Sequence, residues 1–168
     1  ENSLTFSSAD LTSIKLQGYW LDVNSTDNSN LITVDIDATM RNLTLTNNDN
    51  LVTLDVTGSE IANVTMTNND GIVSAVFDHT TELNYRGATA YDKDVAVTIT
   101  GNQGMTSLTW NASNVSTLAV NDNDKLATVD FTGLAAISTS ATVSATVNVY
   151  DNNMTVATAT DASDGVST

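Results

Sequence analysis

Apolar residues recur along this chain in a fixed phrase. In one copy they stand at Leu51, Leu54 and Val56, then at Ile61, Val64 and Met66, and the polar run Asn68, Asn69, Asp70 follows. The preceding copy reads Leu31, Val34, Ile36, then Met40, Leu43, Leu45, then Asn47, Asn48, Asp49. A later copy reads Met105, Leu108, Trp110, then Val115, Leu118, Val120, then Asp122, Asn123, Asp124, and Leu126, Val129 and Phe131 open another. The step is 20 residues from Leu31 to Leu51, 21 from Leu51 to Ile72 and 21 from Met105 to Leu126. A fixed period of this length marks a repeat architecture.

Each half of the phrase ends on apolar residues two apart. That spacing, with abundant Thr and Val, predicts short strands rather than helices. Two such strands cannot bury their apolar side alone, so each turn must stack on the next. The expected fold is therefore all-β, a parallel solenoid of 20–21-residue rungs whose strands pair about 4.8 Å apart. The runs "NLTLTNNDN", "NVTMTNNDG" and "STLAVNDNDK" place Asn48, Asn69, Asn102 and Asn123 at one repeat position. In register they form a ladder of side-chain amides, bonding corner backbone groups that would otherwise be buried without partners. Asn28 is read as part of an irregular loop outside this ladder.

One rung breaks the period. Ile72 to Met105 spans 33 residues, an excess that falls at about 78–94, around "DHTTELNYRGATAYDKD". Insertions in solenoids project as loops from one face. After Ile137 the pattern changes, and "TVSATVNVYDNNMTVATATDAS" reads as two strands joined at Asp151-Asn152-Asn153, a hairpin or the start of another module. The division expected is a repeat domain over 1–139 and a C-terminal hairpin and linker over 140–168. Leu4 and Phe6 resemble the second half of a rung, so the chain is expected to be cut from something longer or to join a neighbour end to end.

The second half-turns "IANVTMTNN", "MRNLTLTNN" and "VSTLAVNDN" fit L-x-x-L-x-L-x-x-N. Over about residues 11–137 this resembles the leucine-rich repeat, particularly the strand-rich versions of bacterial surface proteins such as internalin-like adhesins. The chain departs from that pattern in having no proline-bearing helical segment and a strand-like first half-turn. A horseshoe and a flattened β-solenoid both satisfy the pattern. The resemblance implies a scaffold that displays a surface.

Composition narrows the partners. The 168 residues carry 20 Asp and Glu against five Lys and Arg, a net charge of −15, with 40% apolar residues. Such a surface repels nucleic acid, whose binding requires phosphate neutralisation by basic side chains. The absence of Cys removes disulfides, thiolate metal sites and thiol nucleophiles. No apolar run approaches the roughly 18 residues of a spanning helix, so membrane insertion is not expected.

Candidate chemistry lies mostly at repeat positions. Asp49, Asp70 and Asp124 share one position, and Asp35, Asp55 and Asp130 share another. Stacked carboxylates repel unless a cation sits between them, and hard oxygen ligands at a turn suit Ca²⁺, the one cofactor expected. The pairs Thr44/Thr46, Thr65/Thr67 and Thr98/Thr100 align as T-x-T ranks, resembling the arrays of ice-binding proteins, and the array is expected to fail at Ala119/Asn121 and at Asp22/Asn24. Sequons for N-glycosylation stand at Asn24, Asn42, Asn63, Asn111, Asn114 and Asn153. A single His, His79, leaves His-dependent triads and metal sites without parts, and acids at repeat positions are explained by the repeat, so no enzyme is expected. The function expected is an extracellular structural or adhesive module of an adhesin, filament or surface layer, partnered by copies of itself, by other modules of a longer surface protein or by surface glycan. The alternative is a binding solenoid that grips glycan, protein or ice.

Overall fold

The computed structural model describes residues 2–8, 10–56, 59–77, 96–110, 117–130, 146–150, 152 and 156–158. The insertion expected at 78–94, His79, and the sequons at Asn111, Asn114 and Asn153 lie outside these residues. No helix occurs among the described residues, and the chain winds as a parallel β-solenoid of about 5 turns. Among the described residues both half-turns are built from strands, with no helical segment behind them.

The strands in chain order are β1 (Leu4–Phe6), β2 (Ser13–Thr26), β3 (Thr33–Thr46), β4 (Thr53–Asp55), β5 (Glu60–Thr67) and β6 (Ser74–Phe77). They continue with β7 (Ala96–Thr100), β8 (Ser107–Trp110), β9 (Thr117–Asn121), β10 (Thr128–Asp130), β11 (Thr146–Tyr150) and β12 (Val156–Thr158). One sheet runs β1-β2-β3-β5-β7-β9-β11, with β4 also paired to β3, and the other runs β12-β10-β8-β6. In the first complete rungs the two half-turns are one bent strand, since β2 and β3 pair from Ser13↔Thr33 to Thr26↔Thr46. The next rung divides: β4 takes the first part of β3 and β5 the second. The bend is held by Ser59, whose hydroxyl donates to the Ile36 carbonyl at 2.6 Å and accepts the Ala38 N–H at 3.3 Å.

Period-2 alternation supplies the core. In β3 the side chains of Val34, Ile36, Ala38, Met40, Leu43 and Leu45 are buried while those between them face outward. The same inward positions recur on successive rungs, as Leu43↔Val64↔Val97↔Leu118 in one column. Full burial of each such side chain contributes about 1.5–3 kcal/mol, which a single rung in water would forgo. Phe77 and Trp110 are fully buried in the core, with ring centroids 4.8 Å apart.

The C-terminal segments do not make the expected hairpin. β11 adds in parallel to β9, and β12 adds in parallel to β10, so each extends a different sheet and together they repeat the half-turns before them. The alternation in this stretch marks strands of either topology; only the stack decides the partner.

Candidate functional site

The Asn/Asp runs form the corner between the second half-turn of one rung and the first half-turn of the next. Each has two roles that the sequence run conflates. The first residue takes a left-handed backbone: Asp27, Asn47, Asn68 and Asp122 have φ between 53 and 57°, and Gly101 has φ 70°. Asn, Asp and Gly are the residues that accept this geometry most readily. The second residue is the ladder amide. Three residues later an aliphatic side chain re-enters the core, and its N–H closes the turn on the ladder residue's carbonyl, as from Leu51 to Asn48 at 2.9 Å and from Leu126 to Asn123 at 2.8 Å.

Asn48, Asn69, Asn102 and Asn123 are fully buried, as expected of a ladder. Each Oδ1 accepts from both the backbone N–H and the side-chain amide of the preceding rung's Asn. For Asn102 Oδ1 the two donors are Asn69 N at 2.9 Å and Asn69 Nδ2 at 3.1 Å. Each Nδ2 also donates to backbone carbonyls, as Asn69 does to Leu45 at 2.9 Å and Thr67 at 3.1 Å. All the amides point the same way along the stack, an arrangement in which each bond polarises the next.

The ladder is longer than the sequence reading allows. Asn28 is fully buried and donates through Nδ2 to Asn48 Oδ1 at 3.2 Å, so it is a rung of the ladder and not a loop residue. At the far end Asn152 Oδ1 accepts Asn123 N at 3.0 Å, placing the expected hairpin turn in the same column. The steps between successive ladder residues are 20, 21, 33, 21 and 29, so two rungs carry additional residues and the ladder is indifferent to them. The missed signal was local: "TDNSNL" has the same frame as "TNNDNL", with the buried Asn three residues before the re-entering Leu. Ser25, also buried, was missed because it occupies a column otherwise apolar; its hydroxyl accepts Asn28 Nδ2 and donates to Asn48 Oδ1 at 3.0 Å. Asn28→Ala should therefore destabilise by about 1–3 kcal/mol through unsatisfied corner groups. Exposed Thr53→Ala should change stability by less than about 0.5 kcal/mol. Urea titrations that gave equal values would make Asn28 an ordinary turn residue.

The Thr ranks come together on the outer face of the larger sheet. Thr44↔Thr65↔Thr98 form one column and Thr46↔Thr67↔Thr100 the next, all half-buried by their rung neighbours. The array does give way to Ala119 and Asn121 on the following rung. Toward the N-terminus its register differs from the expectation by two residues. Thr44 stands beside Asn24 and Thr46 beside Thr26, so the second column holds four consecutive Thr.

Beside these columns runs a second, more exposed amide row. Asn63 Nδ2 donates to Asn42 Oδ1 at 2.8 Å, and Asn42 Nδ2 donates to Asp22 Oδ1 at 2.6 Å. The Asn42 amide, then the Ser3 hydroxyl and more weakly the charge of Arg41 hold the Asp22 carboxyl below the usual Asp range. The sequons at Asn42 and Asn63 thus have amide nitrogens engaged along the sheet, whereas Asn24 lies in the adjoining Thr column.

The acids are less gathered than their repeat positions implied. Asp49 and Asp70 stand exposed on adjacent rungs, but Gln103 occupies the rung between Asp70 and Asp124, and its N–H donates to Asp70 Oδ1 at 2.9 Å. Asp35 lies between Lys15 and Asp55 in its column, with Lys15 Nζ 2.5 Å from its carboxylate; Asp130 is across the Val76 and Thr109 rungs. Bonding to Asp35 raises the Lys15 ammonium above its ordinary range. No three His, Cys, Asp or Glu side chains among the described residues come together to hold a metal ion.

Compared with protein-family models, with curated proteins and with solved structures, the chain matches none.

Proposed function

We propose that this chain is a non-catalytic, extracellular structural or adhesive module of a surface assembly. The observation that carries the reading is the amide ladder, which passes through rungs of unequal length without interruption. A polar network spent on joining rung to rung makes a stiff rod whose faces and corners are free to vary. The acidic net charge suits an exposed surface that resists nonspecific contact with nucleic acid and anionic lipid. Self-association or joining to other modules supplies the assembly, with surface glycan as the adhesive target.

Calcium enters this proposal through Asp49 and Asp70, the two exposed acids on neighbouring rungs at the turn. Millimolar Ca²⁺ should raise the melting temperature more than ionic-strength-matched NaCl does, because a bound ion stabilises by mass action while monovalent salt only screens. Replacing both acids with Asn should erase that increment. Equal melts in the two salts remove calcium from the proposal. Negative-stain microscopy of the purified chain with and without Ca²⁺ tests the assembly itself: ordered filaments or arrays are expected, and dispersed monomers in both conditions would overturn it.

A second reading, a ligand-binding solenoid, is favoured by one observation, the Thr columns held in register on one sheet face.

A further inference from the structure

We infer that the outer face of the larger sheet, centred on Thr44, Thr46, Thr65, Thr67, Thr98 and Thr100, is a docking surface for ice. The inference rests on the second reading above and names its ligand. The first argument is charge. In a chain with 20 acidic residues, these two columns carry no ionisable side chain over five rungs, from Asn24 and Thr26 through to Ala119 and Asn121. A charged partner would find nothing here and would meet the acidic corners instead; the field matches a neutral occupant.

The second argument is rigidity. The ladder amides bond from behind to the carbonyls of the second Thr column, Asn28 to Thr26 at 3.2 Å, Asn69 to Thr67 at 3.1 Å and Asn102 to Thr100 at 3.2 Å. Flattening and docking therefore require little further ordering of the backbone. The side chains stand on a lattice of about 4.8 Å between rungs and about 6.6 Å between alternate residues.

The third argument is the chemistry of the field. A Thr hydroxyl both donates and accepts, and it stands beside a methyl group. Such groups gain little by binding a soluble partner, because liquid water already satisfies them. Against a crystal of water, donors and acceptors recur at every site, so a uniform array needs no complementary pattern on its ligand. Waters held between the ranks can join the lattice, and the methyls exclude the disordered remainder.

The test is ice growth in the presence of the purified chain, read as crystal shape and as the gap between melting and growth temperatures. The chain should facet crystals and open a gap. Thr65→Tyr with Thr98→Tyr, which roughens the face, should abolish both effects, while Thr128→Tyr, exposed on β10 of the other sheet, should leave them intact. Thermal melts accompany each variant, and Thr65→Ser with Thr98→Ser, removing only methyls, should narrow the gap if the Tyr pair fails to fold. Round crystals and no gap with the parent chain overturn the ice assignment. If that chain is also released freely from microcrystalline cellulose, the binding-face reading fails with it; retention lost in the Tyr pair would instead keep the face and replace its ligand. Undiminished ice activity in a folded Tyr pair overturns the face. Assembly seen by microscopy is independent of all these outcomes.

Discussion

Asn69→Asp should destabilise the protein by about 3–5 kcal/mol at neutral pH, despite changing a single nitrogen to oxygen. The buried amide donates to the Leu45 and Thr67 carbonyls and to Asn102 Oδ1. A carboxylate there loses those bonds and presents negative charge to three acceptor oxygens, with no cation among the groups it faces. Its other oxygen still accepts from Asn48, so the damage isolates the donor half of the ladder. Protonation relieves it. The introduced group has a folded pKa raised above its unfolded value, so the deficit is largest above the folded pKa and shrinks as pH falls toward the unfolded one. Urea titrations at pH 8 and near pH 4 should show the gap to the parent narrowing at the lower pH. A variant as stable as the parent at pH 8 would mean that the column is wet and the ladder is not a buried structure.

Val64→Asp should be comparably severe, costing several kcal/mol, because it places a charge where no partner exists. Val64 is 1% exposed in β5 and lies between Leu43 and Val97 in an aliphatic column. Thr65→Asp, one residue on, points to the outer face and should cost no more than about 1 kcal/mol. The contrast tests the strand register directly, since a one-residue shift exchanges core and surface. Circular-dichroism melts in which Thr65→Asp unfolded and Val64→Asp did not would invert the register.

Much of this fold was legible along the chain because a solenoid is built from nearest neighbours. Val64 and Met66 alternate with Thr65 and Thr67 within one strand, and that local spacing assigns inside and outside without any distant contact. The steps of 20 and 21 residues between Leu31, Leu51 and Ile72 then place those strands one above another. The same period picked out Asn48, Asn69, Asn102 and Asn123 as a buried column before any contact was known.

What the chain could not declare was who occupies the neighbouring rung. Asn28 looked like loop and Asn152 like a hairpin turn, since each sits in a polar context compatible with either. Their membership follows from hydrogen bonds to Asn48 and Asn123, residues 20 and 29 positions away. The acids show the converse: Asp70 and Asp124 share a repeat position, yet they are not neighbours, because the rung of Asn102 stands between them and carries Gln103 there. Periodicity along one strand is a property of backbone geometry, which every short segment carries. Adjacency between rungs depends on how many residues the chain spends at the far corner, and only the folded stack records that number.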